Sequence, residues 1–155
     1  DQYINSISFQ NKFRSISLIL YDNFDSLDPR NKIFNIVLNA LKNNIKTDLS
    51  PGKQILNLTR VDDLVEAIEF SLNNEWDHIG HKYYQLTGQE INLYDLAKKI
   101  SNKKNYLISN LNFGGRPYRE NEIMRPLYFF EELPFVGKRK ESFDMLLEKE
   151  LNKIR

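Results

Sequence analysis

Residues 15–22, Ser-Ile-Ser-Leu-Ile-Leu-Tyr-Asp, limit the fold more than any other segment. A short, near-continuous apolar run rich in β-branched residues suits a strand covered on both faces, as in a parallel sheet. Asp28-Pro29 follows, a carboxylate N-cap with proline at the first helical position. Ile33, Phe34, Ile36, Val37, Ala40 and Leu41 then recur at helical spacing, which predicts an amphipathic helix over residues 29–43.

The alternation continues downstream. Residues 3–9 read as the end of a helix already under way, and with no initiator methionine at Asp1 the chain reads as part of a longer protein. Ser50-Pro51-Gly52 marks a turn before a short strand at 54–58. Thr59 and Asp62 resemble a capping box opening a second helix, with Val61, Leu64, Val65, Ala67, Ile68 and Leu72 as its apolar face. That helix ends near Asn73. Residues 81–86 read as another strand, closed by Thr87-Gly88. Asn92 and Asp95 form an N-cap pair for a helix that buries Leu93, Leu96, Ala97 and Ile100. A short strand is expected at 106–108. Ser142 caps a last helix carrying Phe143, Leu146, Leu147 and Leu151. This order predicts a mixed α/β fold. No repeat, low-complexity tract or linker divides it.

Composition narrows the function. A chain of 155 residues suits one domain with a real core. A formal charge of +1 supplies no field to draw in nucleic acid or an anionic membrane, so neither is expected as a partner. Lys138-Arg139-Lys140 is the only basic run and reads as a solvated turn. The chain has no cysteine, which excludes disulfides, thiol catalysis and thiolate metal sites and suits a reducing cytoplasm. No apolar stretch approaches the roughly 20 residues that span a bilayer.

The segment with most binding chemistry is residues 114–124, Gly-Gly-Arg-Pro-Tyr-Arg-Glu-Asn-Glu-Ile-Met. Paired glycines and a proline give a shaped loop. Arginines on such a loop suit bidentate recognition of phosphate, and a nearby carboxylate can accept from sugar hydroxyls. On composition alone, a solvated surface loop explains it equally well. His78 and His81 lack the convergent ligands of a metal site. Asp62-Asp63 complement a helix dipole. Tyr83-Tyr84 and Tyr128-Phe129-Phe130 are expected in the core, since no basic face accompanies them. Neither G-x-G-x-x-G nor G-x-x-x-x-G-K-[ST] occurs.

Several segments, in order, resemble the C-terminal half of the extended short-chain dehydrogenase/reductase family, the NAD(P)-dependent sugar-nucleotide epimerases, dehydratases and reductases. Residues 18–24, Leu-Ile-Leu-Tyr-Asp-Asn-Phe, are similar to the family's Leu-Arg-Leu-Tyr-Asn-Val-Tyr-Gly strand end, and residues 28–34 to its following helix start. Residues 49–54 and 59–67 resemble the stretch that ends Val-Asp-Asp-Val-Val-x-Ala. Residues 84–93 are similar to the Tyr-Asn-(Ile/Leu)-Gly-Ser-Gly segment, and the 114–124 loop to the one that carries a phosphate-binding arginine.

The resemblance implies the C-terminal part of a Rossmann-like parallel sheet plus a small mixed α/β substrate-binding lobe. Residues 1–48 would end the Rossmann-like half, and residues 49–155 would form the lobe, with one parallel strand returning at 82–86. It implies a nucleotide-diphosphate sugar as ligand, with Arg119 on the diphosphate and Glu122 on the nucleotide ribose. Lys32 would reach the substrate, and Gln54 and Asn57 would flank the nucleotide. NAD or NADP would serve the parent protein, and none is expected to bind this chain alone. The family's glycine loop is absent, and its Tyr-x-x-x-Lys pair fails around Tyr3, where Ile7 stands, so no catalytic residue is assigned and this segment is expected to be inactive by itself. Ile19, Asp22, Asp25-Ser26, Leu56 and Asn57 depart from the family pattern, which leaves a non-catalytic binding or scaffold protein of the same fold as the alternative. An apolar sheet edge without its neighbour would promote self-association, so a homo-oligomer is also anticipated.

Overall fold

The computed structural model describes residues 2–135 and 141–154. In chain order the elements begin with α1 (Gln2–Gln10), β1 (Arg14–Leu20), β2 (Asp22–Phe24), α2 (Ile33–Lys42) and β3 (Thr47–Leu49). There follow β4 (Ile55–Arg60), α3 (Val61–Asn73), β5 (Gly80–Leu86), β6 (Gln89–Asn92) and α4 (Leu93–Lys104). A 3-10 turn (Ile108–Asn110), β7 (Leu111–Phe113), β8 (Glu131–Glu132) and α5 (Phe143–Lys153) complete the list. The basic run Lys138-Arg139-Lys140 lies outside the described residues.

The fold is α/β, with one all-parallel sheet and one mixed sheet. In the first, β5 lies between β1 and β8. In the second, β4 runs parallel to β2 and antiparallel to β6. A third pair joins β3 and β7 in parallel. Ile16 and Leu18 of β1 pack with Ala67, Trp76, Tyr84, Leu86 and Leu133, which ties α3 to the parallel sheet. The larger core gathers Phe24, Phe34, Val37, Leu41, Leu58, Leu96, Ile100, Leu147 and Leu151, so α2, α4 and α5 share one interior with β2 and β4.

Where helix signals were local, the helices form as expected. Asn92 accepts from the Asp95 N–H at the start of α4, whose Leu93, Leu96, Ala97 and Ile100 are buried. Ser142 accepts from the Met145 N–H at the start of α5. Other expectations fail for identifiable reasons. The 15–22 run is not one strand: it breaks at Tyr21, whose hydroxyl donates to Leu127 O at 3.0 Å, and the two pieces join different sheets. The helix expected from residue 29 starts at Ile33, because the Asp28 carboxylate is taken by the Arg30 N–H and guanidinium. Thr59 caps nothing; it belongs to β4, and Arg60 is the N-cap of α3. Residues 106–108 are not a strand, since the chain enters a 3-10 turn there and pairs only from Leu111.

On α3, Val65, Ile68 and Leu72 are exposed rather than buried. The helix packs through Ala67, Leu64 and Phe70, and no described element covers the other side of the expected apolar face. Tyr84 is in the core as expected, but Tyr128, Phe129 and Phe130 are exposed.

Candidate functional site

The junction of β1 and β2, the start of α2, the start of β4 and the strap 119–129 surround a cleft of about 920 Å³. It lies where β1 ends, and ligands of open α/β sheets collect beyond the carboxyl ends of parallel strands. Four of the expected residues, Lys32, Gln54, Arg119 and Glu122, line it together. Among the described residues the Arg119 guanidinium has no ion-pair or hydrogen-bond partner. Arg119 and Glu122 share one turn, in which the Glu122 N–H donates to Arg119 O at 3.1 Å. Lys32 Nζ donates to Asn23 O at 3.3 Å and stands 3.7 Å from the Asp28 carboxylate. Gln54 is spent locally: its side-chain amide donates to Ser50 Oγ at 2.8 Å.

Asn57 does not face the cleft. It is buried, its amide donating to the Tyr128 hydroxyl and its carbonyl accepting the Gly88 N–H. Its position on the central strand of the mixed sheet makes it a strut, and the expectation that it flanks a ligand directly does not fit that geometry.

Asp22, marked in the sequence only as a departure from the family pattern, and Asn23, Leu127 and Phe129, not singled out as site residues, also line the cleft. The signal for the first two was their place just past the end of a parallel strand. Asp22 is exposed to the cleft, yet surrounding atoms desolvate its carboxyl and hold its pKa above the ordinary value, against a backbone hydrogen bond from Asn57 and the Lys32 charge. Leu56, Leu58, Ile33, Phe34 and Ile123 add an apolar wall. The site is thus an apolar-walled cleft with two cations at its rim, suited to a ligand that is part anion and part ring or sugar.

A Tyr-x-x-x-Lys spacing overlooked in the sequence does occur, at Tyr94 and Lys98 on α4. The Tyr94 ring packs edge-on against Phe113 at 5.0 Å, and neither residue lines the cleft. His81 Nδ1 sits 2.8 Å from Ser15 Oγ and His78 packs against Trp76; no group of three metal-ligating side chains occurs among the described residues. At Gly52, Gly88 and Gly115 an added Cβ would meet Phe113, Leu58 and Asp48 of the protein itself. No described helix is long and apolar enough to cross a membrane.

A parallel-stranded α/β unit with an anion-receptive cleft beyond its strand ends is an arrangement that many ligand-binding α/β proteins share. The comparisons with known proteins narrow it. CDP-abequose synthase of Yersinia pseudotuberculosis is 33% identical over 132 residues, which is 82% of this chain and 45% of that protein. The UDP-glucose 4-epimerase of Thermotoga maritima, solved with UDP-glucose, superposes with a TM-score of 0.75 at 13% identity, over 97% of this chain and 49% of that one. The dTDP-glucose 4,6-dehydratase of Streptomyces venezuelae, solved with NAD and TYD, gives 0.76 at 14% identity, over 97% and 47%. No protein-family model matches the chain. By these matches the chain resembles the C-terminal half of the extended short-chain dehydrogenase/reductase family of sugar-nucleotide epimerases and dehydratases. It spans about half the length of the relatives it matches.

Proposed function

We propose that this chain is the nucleotide-sugar-binding portion of an NAD(P)-dependent sugar-nucleotide epimerase, dehydratase or reductase. The observation that carries the reading is Arg119, an arginine with no partner among the described residues, at the rim of an apolar-walled cleft that also holds Lys32 and Glu122. A diphosphate meeting that guanidinium gains charge-assisted, bidentate hydrogen bonds that the protein itself does not use. Lys32 adds a second positive charge to the same cleft, and Glu122 is an acceptor for ribose hydroxyls. Gln54 shapes the wall rather than binding, because Ser50 holds its amide.

In this reading residues 1–48 close the Rossmann-like half and residues 49–155 form the substrate lobe, with the strand at 82–86 returning to the sheet. The exposed apolar face of α3 and the edge of β1 that no described strand pairs are where the other half of such a sheet packs. The cofactor is held by that other half, so this chain alone binds NAD(P) negligibly and turns over no substrate. A second reading, a non-catalytic binding protein on the same fold, draws on Asp22 and Leu56, which put a carboxylate and an apolar wall where polar ligand contacts are usual. Calorimetric titration with a nucleotide-diphosphate sugar, its free sugar and NAD(P) tests the proposal. Binding of the first alone is expected. Equal binding of the free sugar, or measurable binding of the dinucleotide, contradicts it.

A further inference from the structure

We propose that Glu90 is a positioning residue for Arg119, acting from outside the cleft through the strap that carries the arginine. The proposal rests on the reading of the cleft as a diphosphate site. Residues 114–130 form no helix and pair with no strand after Phe113, so this stretch has no hydrogen-bond ladder of its own. Its course over the cleft depends on the contacts it makes with the body of the protein.

Those contacts fall on either side of Arg119. Before it, the Tyr118 hydroxyl accepts the Lys53 N–H at 2.9 Å. After it, Met124 O accepts the Ile55 N–H at 2.9 Å and Leu127 O accepts the Tyr21 hydroxyl at 3.0 Å. At its end the Phe130 N–H donates to Gln85 Oε1 at 3.3 Å, and two further side chains of the strap converge on one carboxylate. Arg125 Nη2 donates to Glu90 Oε2 at 2.8 Å, and the Tyr128 hydroxyl donates to Glu90 Oε1 at 2.7 Å. Both oxygens of Glu90 are therefore engaged by the strap.

Glu90 is well founded to serve as an anchor. It sits on β6 in register with Asn57 of β4, the central strand of the mixed sheet. The same Tyr128 hydroxyl accepts from Asn57 Nδ2 at 2.7 Å, and Asn57 Oδ1 accepts the Gly88 N–H at 2.6 Å. A line of hydrogen bonds thus runs from the β5–β6 turn through Asn57 and Tyr128 to Glu90. The Tyr21 ring meets the Tyr128 ring edge-on at 5.1 Å and steadies the same point. The Arg125 and Tyr128 bonds hold the Glu90 carboxyl below the ordinary carboxylate range, so it stays an ionised acceptor at neutral pH. A binding side chain is only as well placed as the shell that supports it, and a shift of about 1 Å can cost on the order of 100-fold.

The experiment is a double-mutant cycle between Glu90→Ala and Arg119→Ala, read by calorimetry with cytidine, uridine and thymidine diphosphate, using whichever binds most tightly. Glu90→Ala is expected to weaken binding by about 10-fold and to have no further effect in the Arg119→Ala background. Glu90→Gln, which keeps an acceptor for Tyr128, restores part of the loss. Tyr128→Phe, which removes one hydroxyl from the exposed strap, weakens binding in the same direction. Hydrogen exchange adds a ligand-free readout, in which the Glu122 amide exchanges faster in Glu90→Ala while the amides of α4 do not. Wild-type affinity in Glu90→Ala, an undiminished Glu90→Ala effect in the Arg119→Ala background, or unchanged Glu122 exchange overturns the role of Glu90 alone. Failure of every diphosphate to bind the wild type, or wild-type affinity in Arg119→Ala, overturns the cleft reading and this proposal with it.

Discussion

Asn57 Oδ1 accepts the backbone N–H of Gly88 at 2.6 Å, from a side chain that is 1% exposed. Its amide is also committed, to the Tyr128 hydroxyl. Asn57→Ala strands a backbone donor and removes one partner of Tyr128, which should cost about 1–3 kcal/mol. Urea unfolding with an unchanged slope checks this. A midpoint equal to wild type would show that water replaces Asn57 without loss.

Gly88 is constrained by space. A Cβ there would lie 2.0 Å from Leu58 O, which is backbone of the central strand and has no freedom to withdraw. Gly88→Ala is expected to destabilise by about 3 kcal/mol or more, beyond the usual helix or turn cost of adding a methyl group. Near-wild-type stability by thermal unfolding would contradict the close packing of the β5–β6 turn on β4.

Ser26 and Glu150 join the loop after β2 to the last helix. The Glu150 carboxylate is fully buried, accepts the Ser26 N–H at 3.0 Å and pairs with Lys153 at 2.8 Å. Glu150→Ala strands the Ser26 N–H and removes the nearest carboxylate of Lys153, which keeps Asp62 at 3.5 Å, at an expected cost of about 1–3 kcal/mol. Chemical denaturation measures it, and a change within the error of the midpoint would contradict the account of α5 as a fastened element.

Asp22 gives a pH dependence. Its folded-state pKa is raised, chiefly by desolvation, so the folded protein holds that proton more tightly than the unfolded chain. Its contribution to stability is therefore greatest below the unfolded value of about 3.9 and is lost as pH rises through the raised folded value. A diphosphate in the same cleft favours the neutral carboxyl further, so affinity should fall as pH rises across that window. Asp22→Asn should flatten the profile and bind more tightly at neutral pH. An unaltered profile in Asp22→Asn would remove Asp22 from the ligand's surroundings.

The legible parts of this fold are those written in adjacent residues. Asn92 with Asp95 and Ser142 with Met145 place α4 and α5 because an N-cap and the amide it satisfies are neighbours in sequence. Asp28-Pro29 misled because its carboxylate has a nearer competitor in Arg30. Strands β3, β6 and β8 hold three, four and two residues, too few for a period of two to declare itself. In the site, the ordered resemblance brought Lys32, Gln54, Arg119 and Glu122 to one cleft, although nothing local joins residue 32 to residue 119. It could not separate Asn57 from them, because a buried strut and a ligand contact use the same polar residue on the same strand. Asp22 stood at the end of a run that reads as one strand and Asn23 just beyond it, so their place at the cleft shows only once Tyr21 is seen to break that run.

The most direct measurement compares Arg119→Ala with Arg116→Ala in their affinity for a nucleotide-diphosphate sugar. Arg119 lines the cleft with no partner among the described residues, whereas Arg116 is exposed on the same loop and is not part of the cleft lining. Loss of a charge-assisted bidentate contact should weaken binding about 10- to 100-fold in Arg119→Ala, with Arg116→Ala close to wild type. Equal affinity in wild type and Arg119→Ala would contradict the account.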